Sequence, residues 1–166
     1  NKYIETDKSF KVTKEKTFEF KLEEKRYIGI EDIRIFPDQN NHSKLVYMGT
    51  SQHQNGTIGM LYGNYDPFYD YIISQEIKPS FCESWCEKNW VYFRYKNENH
   101  VIYKWSPIHI CKINSNTNEL DIVEIKEGMP KIFLHVRGSS PGFKFYNEYW
   151  FLLHIVSCLL YTSDAA

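Results

Sequence analysis

Three stretches of the chain can be laid on one another: Glu31 to Ser51 (EDIRIFPDQNNHSKLVYMGTS), Glu87 to Ser106 (EKNWVYFRYKNENHVIYKWS) and Arg137 to Ser157 (RGSSPGFKFYNEYWFLLHIVS). Each runs from a polar cluster into an apolar strand, turns through Asn, Asp or Glu, and closes on serine after a second strand. A lone hairpin cannot bury its apolar face, so a unit that recurs at about fifty residues must pack against its neighbours. Short strands at that period predict propeller blades, an all-β fold.

The segments between the repeats support the same reading. Ile33 to Phe36 and Lys44 to Met48 are expected to pair across the turn at Asp38 to His42, with Thr57 to Tyr62 and Tyr69 to Ile77 as third and fourth strands,. The second unit repeats the plan with Trp90 to Tyr95, His100 to Lys104, Ile108 to Ile113 and Leu120 to Ile125. Thr17 to Leu22 alternates apolar and polar residues, as a half-buried strand does,. No segment has a convincing helical period; Pro79 to Glu87 has room for one short turn.

Blades set equivalent strand ends around one axis, whereas a sandwich gives no reason for the same polar head to recur. Glu31-Asp32, Lys88-Asn89 and Arg137-Gly138 are therefore expected to converge, each just before the first strand of its unit. Acidic, amide and cationic groups gathered beside aromatics make a polar ligand pocket. Trp105 stands at a strand end beside Ser106-Pro107, equally suited to stacking on a sugar face and to inter-blade packing, while Trp90 favours packing,. His135, two residues before Arg137, is expected on the same side of an extended segment and so in the pocket,. His109 and His154 fall inside apolar strands and read as packing residues; His42, His53 and His100 read as turn residues.

Composition narrows the partners. A formal net charge of −1 offers nucleic acid no bulk attraction,. No apolar run reaches the 18 or so residues of a membrane helix. Of four cysteines, Cys158 falls in a C-terminal segment read below as a non-native tail; Cys82 and Cys86 have CxxxC spacing without a second pair, and with Cys111 they make an odd set that argues against a disulfide framework and singles out no metal site,. The aromatic share of 17% suits both strands and flat sugar faces,.

Glu31-Asp32-Ile33-Arg34-Ile35 is similar to the Glu-Asp-Pro-Arg-Ile segment of five-bladed propeller glycosidases and phosphorylases, in particular the β-mannoside phosphorylase family. Lys88-Asn89 resembles the basic-Asn pair of the next blade, and the resemblance spans about residues 25 to 157,. It implies that Asp32 is the proton donor and that Lys88 and Asn89 help hold phosphate, an inorganic co-substrate, with no other cofactor and no metal. Ile33 stands where the family usually has Pro, and Lys88 where it more often has Arg, whose fork grips phosphate at two points as an ammonium does not,. The chain also resembles propeller proteins found beside glycosyltransferases.

Cleaving a glycosidic bond needs an acid at the departing oxygen and a nucleophile at the anomeric carbon, water activated by a carboxylate or phosphate itself. Asp32 is the candidate acid. Glu31 beside it and Arg34, expected on the same strand face, place opposite charges near it. Lys88, Asn89 and Arg137 are candidate donors to phosphate or to sugar hydroxyls. The expected function is inverting cleavage of an oligosaccharide or glycoside, with a non-catalytic sugar-binding or glycosyltransferase-associated module as the alternative. A third reading, a propeller that binds proteins, fits axial charged groups less well than a broad rim would.

The ends shape the expected organisation. Cys158 to Ala166 (CLLYTSDAA) resembles a translated sequencing adapter, and the chain opens on Asn1 rather than Met. Residues 1–157 are thus expected to form an incomplete propeller domain of about two to three blades, with 158–166 a non-native tail and localisation open,. An unclosed ring leaves a sheet edge and an inter-blade face exposed, which favours aggregation.

Overall fold

The computed structural model describes residues 2–17, 29–38, 44–66 and 71–156. Among them the chain is all-β, fourteen strands and one short 3-10 turn. The expected strands are recovered, most of them with longer ends. β3 (Glu31–Pro37), β4 (Leu45–Gln52), β5 (Ile58–Asp66) and β6 (Tyr71–Pro79) follow β1 (Lys2–Thr6) and β2 (Val12–Thr17). Then come β7 (Val91–Tyr95), β8 (Glu98–Trp105), β9 (Ile108–Asn114) and β10 (Glu119–Lys126). Residues 18–22 of the strand expected from Thr17, 39–43 of the first hairpin turn, 69–70 before β6, and the tail from 157 lie outside the described residues.

β3 to β6 form one antiparallel meander and β7 to β10 a second, each neighbour in sequence being a neighbour in the sheet. The turns carry the residues that left-handed backbone tolerates. Lys96 and Asn97 (φ 48° and 63°) close β7 onto β8, and Asn118 (φ 57°) closes β9 onto β10,. The two meanders join at their fourth strands, where β6 and β10 run parallel with Lys78 opposite Glu119 and Pro79 opposite Leu120. Ser80 extends the seam, its amide and hydroxyl both donating to the Leu120 carbonyl at 3.0 and 2.8 Å. The resulting order is β3-β4-β5-β6-β10-β9-β8-β7, a sheet curled so that its end strands β3 and β7 approach each other.

Inside that curl the meanders pack face to face. Phe36, Val46, Met48, Met60 and Ile77 of the first meet Trp90, Tyr92, Val101, Cys111 and Leu120 of the second. Each such fully buried side chain stabilises the fold by roughly 1.5–3 kcal/mol. Trp90 and the first three residues of β7 are buried on both sides: Trp90 and Tyr92 pack with the first meander, Val91 and Phe93 with a third group of strands. That explains their unbroken apolar run, since a strand sandwiched between layers has no solvent face.

The third group comprises the 3-10 turn η1 (Lys131–His135), β11 (Val136–Gly138), β12 (Phe143–Phe145), β13 (Glu148–Trp150) and β14 (Leu153–Ile155). β11 pairs with β14, and β12 with β13, as two short sections of one interrupted hairpin. Phe133, Val136, Tyr149, Phe151 and Leu153 pack on the second meander around Trp105 and Ile102. On the far side of the first meander, the unforeseen β1–β2 hairpin lays Tyr3 edge-on against Tyr65 at 4.9 Å.

Candidate functional site

The first half of β3, the residues just before β7 and the end of β11 meet at one place, and Arg34 ties them together. Its Nη1 donates to the Trp90 carbonyl at 2.6 Å and its Nη2 to the Gly138 carbonyl at 2.7 Å. Burial pushes its guanidinium below the ordinary value, with the Asp32 charge opposing that shift. Gly138 is required for the approach: a Cβ there would stand 2.0 Å from Val91 Cγ2 and 2.8 Å from the Asn89 carbonyl oxygen.

Asp32 sits on a bulge. Glu31 pairs with Thr50 and Arg34 with Met48, so Asp32 and Ile33 together oppose Gly49,. The bulge needs left-handed backbone at Asp32 (φ 51°), one of the few side chains that adopt it readily,. It also needs Gly49, where a Cβ would meet Ile30 Cγ2 at 2.3 Å and the Glu31 carbonyl oxygen at 3.0 Å. Because of the bulge, simple alternation does not relate Asp32 to Arg34. Asn89, ahead of β7, shares the left-handed backbone (φ 65°), so the acid and the amide occupy matching bends in successive units.

Around these bends lies a cleft of about 630 Å³ lined by Asp32, Arg34, Lys88, Asn89 and Arg137, with Gly138, Ser139 and His154 among its other walls. Of the three expected pairs, Lys88-Asn89 and Arg137-Gly138 meet there whole and Glu31-Asp32 only through Asp32. Asp32, Lys88 and Arg137 are exposed and Arg34 and Asn89 half-buried. Arg137 Nη1 donates to the Val136 carbonyl at 2.9 Å. Asp32 is the one carboxylate among the described lining residues, facing a set of cations.

Three expected residues lie elsewhere. Glu31 is exposed and outside the cleft lining, its backbone engaged with β4. His135 ends the 3-10 turn η1, where period-two reasoning does not apply, and it too is exposed and outside the lining. Trp105 is buried, edge-on to Phe151 at 5.7 Å, so it is a packing residue between layers. It borders a smaller cleft of about 300 Å³ that shares Lys88, Asn89 and Arg137 with the first.

Two cleft residues escaped the sequence reading. Ser139 and His154 are hydrogen-bonded, Oγ to Nδ1 at 2.8 Å. His154 is exposed rather than packed, because it pairs with Arg137 across β11 and β14. That pairing was the available signal: the closing strand of a unit lies beside its opening pair. His53 stands at the β4–β5 turn, as expected, its carbonyl accepting from Gly56 N at 2.9 Å, whereas His100 lies in a strand rather than a turn. His53 is buried against the Met60 carbonyl (3.0 Å) and His100 is buried in β8 beside Phe93. His109 is half-buried with an unpartnered Nδ1, and burial, aided by Lys104, pushes its pKa down.

Cys82, Cys86 and Cys111 are free thiols, and no cluster of metal-ligating side chains occurs among the described residues. No helix among them is long and apolar enough to cross a membrane. Comparison with protein-family models, with curated proteins and with solved structures finds no match to this chain.

Proposed function

We propose that the chain is part of a β-propeller whose axial cleft binds and cleaves glycosides. The observation that carries this reading is the meeting of Asp32, Lys88-Asn89 and Arg137-Gly138 around one cavity. Support for blades comes from two four-stranded meanders packed face to face and a third strand group on the second, with residues of each at one cleft,; the parallel seam that joins the meanders into one eight-stranded sheet is a departure from separate blades.

The chemistry of the lining favours phosphate over water as the nucleophile. Inverting hydrolysis uses two carboxyl groups roughly 6.5–9.5 Å apart, one as acid and one to activate water. The described lining of the cleft holds a single carboxylate together with Lys88 and Arg137. Arg137 supplies the guanidinium fork that Lys88 lacks. In this mechanism a phosphate oxygen forms the new bond to the anomeric carbon as the glycosidic bond breaks. The electron pair leaves with the departing oxygen, which takes the Asp32 proton. The products are an inverted sugar 1-phosphate and a free hydroxyl, and the proton on the incoming phosphate restores Asp32.

Binding without cleavage is the second reading, and it predicts aromatic platforms for sugar faces. The described lining of the 630 Å³ cleft has none, and in the adjoining 300 Å³ cleft Trp105 is buried while Tyr103 and Phe133 are half-buried. A panel of aryl glycosides and disaccharides, incubated with and without inorganic phosphate, separates the readings. Phosphate-dependent release of a sugar phosphate supports the proposal. Saturable binding with no product supports the module, and release of reducing sugar independent of phosphate supports hydrolysis.

A further inference from the structure

At the other end of β3 and β7 lies a larger groove, about 1060 Å³, that no part of the Asp32 cleft enters. It is built from two hairpins of related sequence. Phe93-Arg94-Tyr95-Lys96-Asn97-Glu98 and Phe143-Lys144-Phe145-Tyr146-Asn147-Glu148 align position for position, with both turn residues left-handed in the first and Tyr146 alone in the second. Their registers agree, with Tyr95 opposite Glu98 and Phe145 opposite Glu148 at the turn. The repeat thus delivers a cation and an amide from each unit, Arg94 with Asn97 and Lys144 with Asn147, to facing sides of one groove.

The surface of the groove is aromatic and cationic at once. Tyr95 and Phe143 are 44% and 50% exposed, an unusual state for rings that line a concavity. Lys96 Nζ stands 5.1 Å from the Tyr95 ring centroid, and Lys144 is exposed in β12. No Asp or Glu is among the described lining residues, and Glu98 is turned to Lys112 at 2.6 Å. Exposed rings accept the apolar faces of sugars, and ammonium groups accept carboxylates.

We propose that this groove is a second ligand site, for a short carboxylated oligosaccharide whose acid groups meet Lys96 and Lys144 while its ring faces lie on Tyr95 and Phe143. The size lies at the top of the roughly 300–1,000 Å³ range of small-molecule sites and admits several sugar rings. Single-stranded nucleic acid has the same general chemistry. However, a chain of net charge −1 lacks the long-range attraction that a polyanion exploits,. The site goes beyond the glycoside-cleaving reading and does not depend on what Asp32 does.

Calorimetric titration of the full chain with a galacturonic acid trimer, a neutral galactose trimer and an oligothymidylate tests it. The acidic trimer is expected to bind, more weakly as salt rises, and the neutral trimer to bind at least about tenfold less tightly. The double variant Lys96→Gln/Lys144→Gln, both at exposed positions, is expected to lose about tenfold in affinity. Phe143→Ala is expected to lose affinity for both trimers, and Asp32→Asn to leave binding unchanged. Equal binding of the two trimers, undiminished binding by the double variant, tighter binding of the oligothymidylate, or no binding of the acidic trimer overturns the proposal. A change caused by Asp32→Asn overturns it as well, since the ligand would then belong to the other cleft.

Discussion

Arg34 and Gly138 lie 104 residues apart in sequence and are joined by a 2.7 Å hydrogen bond from the guanidinium to the backbone carbonyl. The same side chain holds the Trp90 carbonyl at 2.6 Å, so one residue fixes the first, second and third strand groups at the rim of the cleft. A planar fork reaches two carbonyls at once; an ammonium is a single point. Arg34→Met should therefore lower the unfolding free energy by about 3 kcal/mol, from two hydrogen bonds to a charged donor at roughly 1.5–3 kcal/mol each. Arg34→Lys should recover less than half of the loss. Urea denaturation of the three proteins measures both.

The close approach of the third group to the second is tested at a glycine. Gly138→Ala places a Cβ 2.0 Å from Val91 Cγ2, in a layer with no room to yield. Overpacking of this kind costs about 1–3 kcal/mol. At Gly128 a Cβ meets nothing within 4 Å, and only its φ of +76° resists substitution. Gly128→Ala should cost about 1 kcal/mol. Thermal melts should rank wild type, Gly128→Ala and Gly138→Ala in falling order; equal melting of the two variants would mean that the contact at Val91 relaxes freely.

Asp32 combines a chemical group with an unusual backbone. Glycine takes up φ 51° without strain, whereas alanine there costs about 1 kcal/mol,. Asp32→Gly should thus match or exceed the wild type in stability, and Asp32→Ala should be less stable than either. Loss of turnover in the more stable variant would separate the role of the carboxyl from that of the bend. Chemical denaturation and a turnover assay on the same samples supply the two readings.

The repeat made the unit organisation legible, because polar heads before apolar strands recur wherever a unit must present its ends to a common centre. The meeting of Asp32, Lys88-Asn89 and Arg137 follows from that register alone. The bulge at Asp32 was not legible, since Glu31 to Pro37 keeps an ordinary strand composition and the deviation comes from Gly49 across the ladder. His135 was misplaced because a 3-10 turn interrupts the extended segment, and His154 because apolar neighbours masked its pairing with Arg137. The parallel seam of β6 and β10 joins residues some forty positions apart and leaves no local mark,. The β1–β2 hairpin was missed for a different reason: Val12–Thr17 is mostly polar and exposed, as an outer strand is.

Alkaline stability should report on Cys111. Burial pushes its thiol up to about 12, with Asp121 and Cys82 adding to the shift from 9.0. A folded value above the ordinary one contributes stability that is complete below pH 9.0 and is lost as the pH rises from 9.0 toward about 12,. Tyr62, pushed up by burial from 10.0 to about 12, acts in the same direction. Cys111→Ala should flatten part of the alkaline decline in unfolding free energy. With a thiol reagent near neutral pH, the exposed Cys82 should react in the native protein and Cys111 only after unfolding,.

The proposed role of Asp32 as proton donor in a phosphate-dependent cleavage can be read from a single comparison of rates. The most direct measurement is the rate of sugar phosphate release by the wild type and by Asp32→Asn, on the best glycoside of the panel at saturating phosphate. Asn keeps the shape and tolerates the left-handed bend but has no acidic proton. The account predicts a loss of at least about a hundredfold in rate, the low end of what a general acid contributes, with an unchanged melting temperature. Turnover by Asp32→Asn at the wild-type rate would contradict it.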